Sequence, residues 1–306
     1  MSARTDALTP LEEQPLVAPF SSGGLVDVFR RRYLLKLLVQ KEVRARYQGS
    51  VLGVLWSYIQ PLVRFCMYFF VIGLLLGLHD DVPNFAIHIF AALVCVHFFT
   101  ETFSSGTRSI VQNKAIVRKM AMPREMFPVS SVIVSAVNSF PQLLILFVGA
   151  VVVGWVPDAG ALLAAVLGLA IITVFGTALA LLFAGLNVFF RDFQSVVAIF
   201  SMVIMWSVPM IYPFTAVASG LGGTFFYGLY LANPLAVGVL LLQRAFWLPT
   251  TLGQKGYPTD IDDVGFPYLP HDLFLLGVVM LAATLAILVA CQLVFRRLEG
   301  KFAERL

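Results

Sequence analysis

AGALLAAVLGLAIITVFGTALALLFAGL, residues 159–186, contains no charged side chain and is longer than a bilayer crossing requires. A helix spans a hydrocarbon core of about 30 Å with about 20 apolar residues. Five further apolar runs flank it, at Trp56–Leu78, Asn84–Phe103, Val129–Trp155, Val196–Tyr212 and Leu273–Phe295. Lipid offers backbone N–H and C=O groups no partners, so runs of this kind are read as helices. In chain order the second run carries His88, His97 and Glu101 and is expected to be tilted or shielded by its neighbours. The fifth is short. Composition agrees: 59% of the residues are hydrophobic and only 12% charged, against about 25% charged in a soluble domain. The mean hydropathy is +0.88. The fold class is therefore an all-α membrane protein with six transmembrane helices.

Charge placement sets the orientation. All but Arg64, Arg244 and Lys255 of the 21 basic residues fall in segments sharing a side with the N-terminus. Cytoplasmic segments hold the excess of Lys and Arg, so both termini are expected in the cytoplasm, and the chain in the cytoplasmic (inner) membrane. The pI near 9.0 is explained in this way and needs no nucleic-acid partner. Residues 1–24 lack an apolar core and read as a disordered tail rather than a signal peptide. Residues 25–55 place Val26, Phe29, Tyr33, Leu34, Leu37 and Leu38 at helical spacing among arginines and lysines. That pattern predicts an amphipathic helix in the inner headgroup layer, in contact with membrane lipids. The membrane domain then covers 56–295, and 296–306 is a basic cytoplasmic tail. Residues 104–128 read as a long basic cytoplasmic loop. Between spans five and six, an apolar segment broken by Gly220, Gly222, Gly223 and Pro234 reads as short re-entrant outer helices.

Several chemistries are missing. There is no G-x-x-x-x-G-K-[ST] phosphate loop, so the chain is expected to hydrolyse no ATP, to be no enzyme and to hold no cofactor of its own. Cys66, Cys95 and Cys291 fall inside apolar runs with no metal spacing and read as buried small residues. His88 and His97 lie about 13 Å apart along a helix, too far to share an ion. Asp260, Asp262 and Asp263 resemble a D-x-D metal pair, but on the outer side they read as a solvated acidic loop. Gly73 and Gly77 form a G-x-x-x-G in the first span, a common pattern that allows close helix approach. Arg64 is the oddity: a charge inside a span costs at least about 2.5–3.5 kcal/mol. It either snorkels to the inner headgroups or meets an anionic head group at the mouth of a pathway. Phe65, Tyr68, Phe69, Trp206 and Tyr212 offer flat faces suited to sugar rings, alongside the plainer role of packing.

KEVRARYQGSVLGVLWSYIQPL at Lys41–Leu62 closely resembles the motif opening the first span of ABC-2 type permeases that export O-antigen, capsule, teichoic acid and related polymers. KMAMPREMFP (Lys119–Pro128), NVFFRD (Asn187–Asp192), ANPL (Ala232–Leu235) with Arg244, and RRLEGKFAERL are similar to later family segments, in the same order. Glu42 stands where the family more often has aspartate. The resemblance implies a homodimer with two copies of a separate ATPase subunit, which would hold ATP and Mg. It implies an interface helix carrying Tyr33, Lys41, Glu42, Arg44, Arg46 and Tyr47, and a coupling segment carrying Arg108, Lys114, Arg118, Lys119 and Arg124. The lipid-linked polysaccharide would pass between protomers beside spans one and five. The Ala/Val-rich composition suits a GC-rich genome such as an actinobacterium's, where similar exporters carry a galactan for the cell wall; an O-antigen or teichoic acid polymer is the alternative. Two rivals remain in view. A permease for lipids or small amphiphiles shares the fold, and a membrane enzyme acting on lipid-linked sugars would need a clustered acid/base site.

Overall fold

The computed structural model describes residues 24–75, 77, 82–120, 122–254, 268–270 and 272–305. Most of the expected N-terminal tail and the Asp260, Asp262 and Asp263 loop lie outside the described residues. Two helices, α1 (Leu25–Arg30) and α2 (Arg32–Tyr47), precede the first span. That span is α3 (Trp56–Tyr68), continued by a wider helical turn at Phe69–Leu75. Next come α4 (Phe85–Gln112), the short α5 (Lys114–Lys119), α6 (Met126–Val152) and α7 (Ala159–Phe189). After these follow α8 (Phe193–Trp206), α9 (Phe214–Leu221), α10 (Phe225–Leu231) and α11 (Pro234–Phe246). The chain closes with α12 (Leu273–Glu299) and α13 (Phe302–Arg305). Every regular element among the described residues is helical.

Among the described residues, five helices are long and apolar enough to cross a membrane: Trp56–Leu75, Phe85–Gln112, Met126–Val152, Ala159–Phe189 and Leu273–Glu299. A sixth is reached if the bent pair Phe225–Leu231 and Pro234–Thr250, which turns by 73°, counts as one broken span. The run expected at Val196–Tyr212 becomes the shorter α8, about 21 Å long at 1.5 Å per residue, and the chain leaves helix at Ser207. Pro209 and Pro213 explain the stop, since neither can donate to a helical ladder.

Two spans share the lowest hydropathy, 1.6, and differ most in shielding. In α4, 78% of the apolar window is buried, against 17% in the first span. Its polar side chains would be costly against lipid and find partners instead: His88 meets Gln243 of α11 at 3.0 Å. Small residues let α4 and α7 touch, since a Cβ on Gly106 would fall 2.5 Å from that of Ala180. The same device joins α7 to α11, where a Cβ on Gly168 would sit 2.9 Å from the Gly238 carbonyl oxygen. Gly73, by contrast, faces the Phe85 ring, 3.0 Å from a would-be Cβ, and Gly77 lies beyond the helix at φ 75°. The G-x-x-x-G spacing thus serves packing within the chain and the end of the span.

The segment read as a loop at 104–128 is largely helical. Nothing between Phe103 and Gln112 breaks a helix, so α4 runs straight out of the apolar zone and α5 follows after Asn113. At the other face, α11 is buried along almost its whole length. Asn233 caps it by accepting from the Leu235 N–H at 3.0 Å, with Pro234 in the first turn, where its missing N–H costs nothing. The same amide donates to Ser207 Oγ at 3.0 Å, tying the re-entrant pair to the end of α8. Asn233→Ala loses both bonds and is expected to cost about 1 kcal/mol. A small drop in melting temperature with unchanged membrane insertion would bear this out; an unchanged melt would refute it.

Candidate functional site

The outward face of α3 and the wider turn after it leaves Trp56, Val63, Met67 and Val71 exposed. Arg64 is exposed on the same face. Together with Ile59, Gln60, Tyr68 and Ile72 these residues line an open groove of about 560 Å³. Phe65 and Phe69 turn the other way. Their rings stack with centroids 5.8 Å apart, and Phe65 meets Phe90 of α4 edge-on at 5.1 Å. Tyr68 Oη donates to Met205 Sδ at 2.9 Å and so joins α3 to α8. On α8, Ile199, Met202, Val203 and Trp206 are exposed, and Tyr212 donates to the Trp206 carbonyl at 3.1 Å. The six aromatic and basic candidates therefore divide. Arg64, Tyr68 and Trp206 reach open surface, Phe65 and Phe69 pack inward, and Tyr212 lies at the end of α8.

At the N-terminal end of α3, polar side chains converge from four helices. Arg46 of α2 pairs with Glu101 of α4. Asn138 of α6 donates to Glu101 at 3.0 Å and accepts from Tyr47 Oη at 2.9 Å. Tyr47 Oη also lies 2.6 Å from Ser57 Oγ, and Gln142 Nε2 lies 2.9 Å from His97 Nδ1. One turn earlier, Lys41 donates to Asn113 at 2.7 Å, and Ser130 donates to Glu42 at 3.2 Å. Burial pushes the Glu42 carboxyl above its usual range, opposed by Ser130, Lys41 and Asn113. The interface helix is thus fastened to α4 and α6 by hydrogen bonds as well as by Leu35 and Leu38, which join a second apolar cluster with Ile110, Phe127 and Phe302. Its other apolar residues, Val26, Phe29, Tyr33 and Leu37, stay exposed, as does Arg44.

The sequence singles out Arg46 and Tyr47, and Glu101 and His97 as polar residues of the second run, but not Asn138, Gln142 or the contacts among them. A signal existed: His97 with Glu101 and Asn138 with Gln142 are i,i+4 polar pairs inside apolar runs, and such pairs share a helix face.

Between residues 104 and 128, Arg108, Lys114, Arg118 and Lys119 are exposed. Arg124 is not: it donates to the Glu299 carbonyl and lies over the Phe302 ring, 5.6 Å from its centroid. At the far face, Asp158 caps α7 by accepting from Gly160 and Ala161, each at 3.0 Å, and pairs with Arg244 at 3.2 Å. Burial works against its charge, but Arg244 and the Ala161 N–H outweigh it and hold the carboxyl below the usual range.

The described residues thus hold apolar spans, a broken helical pair and an amphipathic helix fastened at one end, with no metal-holding cluster among them. Residues 33–247 match the family model described as ABC-2 type transporter, and the chain belongs to that family. Among curated relatives, it is 26% identical over 275 residues to an O-antigen export system permease protein RfbA of Klebsiella pneumoniae, covering 89% of this chain and 94% of the relative. An RfbA of the same description from Myxococcus xanthus is 29% identical over 191 residues, covering 62% of this chain and 72% of the relative.

Proposed function

We propose that this chain is the permease of an exporter of lipid-linked polysaccharide, acting as a homodimer with two copies of a separate ATPase that binds ATP and Mg. The observation that carries it is the outward face of α3 and α8. There Arg64 and Gln60 sit beside the rings of Trp56, Tyr68 and Trp206 on surface that is otherwise apolar. A charge held at membrane depth is retained for a partner, and the diphosphate of a lipid carrier supplies one. The substrate named for the relatives is O-antigen, which supports a polymer of this class; galactan is the more specific version. The exposed Arg108, Lys114, Arg118 and Lys119 are assigned to ATPase docking, with both termini on the same side.

The test is transport into sealed proteoliposomes holding the permease and its ATPase, with lipid-linked polymer in the outer leaflet. ATP added to the ATPase side is expected to move polymer into the lumen, beyond the reach of an added glycosidase. Arg64→Gln is expected to slow this without loss of folded protein. Movement of small amphiphiles but no polymer would overturn the reading in favour of a lipid or drug permease. ATP hydrolysis by the purified chain alone would overturn the assignment of energy to a partner.

A further inference from the structure

We propose that the polar chamber between α2, α3, α4 and α6 is a saccharide-binding subsite, distinct from the open groove along α3. It has a volume of about 290 Å³ and is lined by, among others, Arg46, Trp56, His97, Glu101, Asn138 and Gln142. Arg46 and Trp56 are exposed, but buried polar atoms on the other walls are costly unless something bonds to them. Two buried acceptors here lack a hydrogen bond. Gln142 is 1% exposed, and its Oε1 has no hydrogen bond although its Nε2 reaches His97. Glu101 bonds to Arg46 and Asn138 through Oε1, while its buried Oε2 makes no hydrogen bond and has His97 Nδ1 3.8 Å away, beyond hydrogen-bond reach. Turning the Gln142 amide over would exchange acceptor for donor and still leave one polar atom free.

The donor set selects the ligand. Two free acceptors ask for hydroxyl donors, and Arg46 offers N–H groups to hydroxyl oxygens in return. A phosphate would meet the Glu101 charge and a metal ion the Arg46 charge, whereas a neutral polyol satisfies both. Trp56 adds an indole, whose apolar face suits the C–H side of a sugar ring. The volume far exceeds the roughly 30 Å³ of one water molecule and suits a single saccharide unit at the foot of the groove. This inference rests on the proposed export function, to which it adds that the permease itself reads sugar near the carrier.

Equilibrium binding to the full chain in nanodiscs tests it. The probes are a fluorescent polyprenyl diphosphate and the same carrier bearing a disaccharide. The wild type is expected to prefer the sugar-bearing carrier by about tenfold, or 1.4 kcal/mol. Gln142→Met, which keeps the side-chain volume, is expected to abolish that preference while leaving affinity for the bare carrier unchanged; Trp56→Ala, at a residue that also borders the groove, is expected to weaken binding of both probes, and Trp56→Phe to retain most of it. Equal binding of both probes by the wild type, or an undiminished preference in folded Gln142→Met, overturns the subsite and leaves the export reading standing. Absence of polymer transport by the wild type with its ATPase would instead bring down the export reading.

Discussion

Glu101→Lys is expected to abolish export and to lower the yield of folded permease severely, whereas the exchange Arg46→Glu with Glu101→Lys is expected to restore much of that yield. Glu101 accepts from Arg46 and Asn138, and its side chain is 11% exposed. A lysine there would face Arg46 and leave Asn138 without its acceptor. Removing one partner of a buried pair costs about 3–5 kcal/mol. Arg46 keeps 45% of its side chain in solvent, so screening puts the cost at the lower end, about 3 kcal/mol. Glu101→Gln separates charge from hydrogen bonding: the amide oxygen still accepts from Asn138 but loses the ion pair. Monodisperse yield and melting temperature, followed by transport on what survives, give the comparison. If the double exchange is no better folded than Glu101→Lys alone, the pair is not what fastens α2 to α4.

The apolar runs were legible because lipid imposes one rule on every span, and residues 159–186 reappear as the central part of α7. Boundaries were less so. Hydropathy falls after Phe103, yet helix continues to Gln112, because the ladder depends on backbone geometry and on Gly106 fitting against Ala180. The re-entrant pair was visible through its glycines and Pro234, but the burial of α11 was not: a run apolar on every side can face lipid or protein, and only its neighbours decide. Side-chain direction was the hardest feature to read. Phe65, Tyr68 and Phe69 share a face by spacing, but in the structure two rings pack on α4 and their neighbour reaches α8. Spacing also cannot show that Glu101 of one run would meet Arg46 from before another. That contact is tertiary, and the i,i+4 polar pairs mark only its helix faces.

Arg118→Glu with Lys119→Glu is expected to separate the permease from its ATPase without unfolding it. Both side chains stand exposed at the end of α5, and α5 contributes no fully buried residue to the core. Surface charges of this kind contribute little to folding, about 0–1 kcal/mol, so the melting temperature should stay near wild type. At a docking surface the balance differs. Two reversals change the local charge by four units, and like charges brought together across an interface cost several kcal/mol. That is sufficient to reduce co-purification of the ATPase by well over tenfold and to stop ATP-driven transport. Arg124→Ala is the informative contrast. Its guanidinium is committed to the Glu299 carbonyl and the Phe302 ring, at the junction of the α5–α6 turn with the C-terminal tail. Its loss should therefore lower the melting temperature in the isolated chain, whether or not an ATPase is present. Pull-down of the ATPase at low and high salt, beside melts of the permease alone, separates the two effects. If the double reversal retains the ATPase at low salt and leaves transport intact, the docking surface lies elsewhere on the cytoplasmic face.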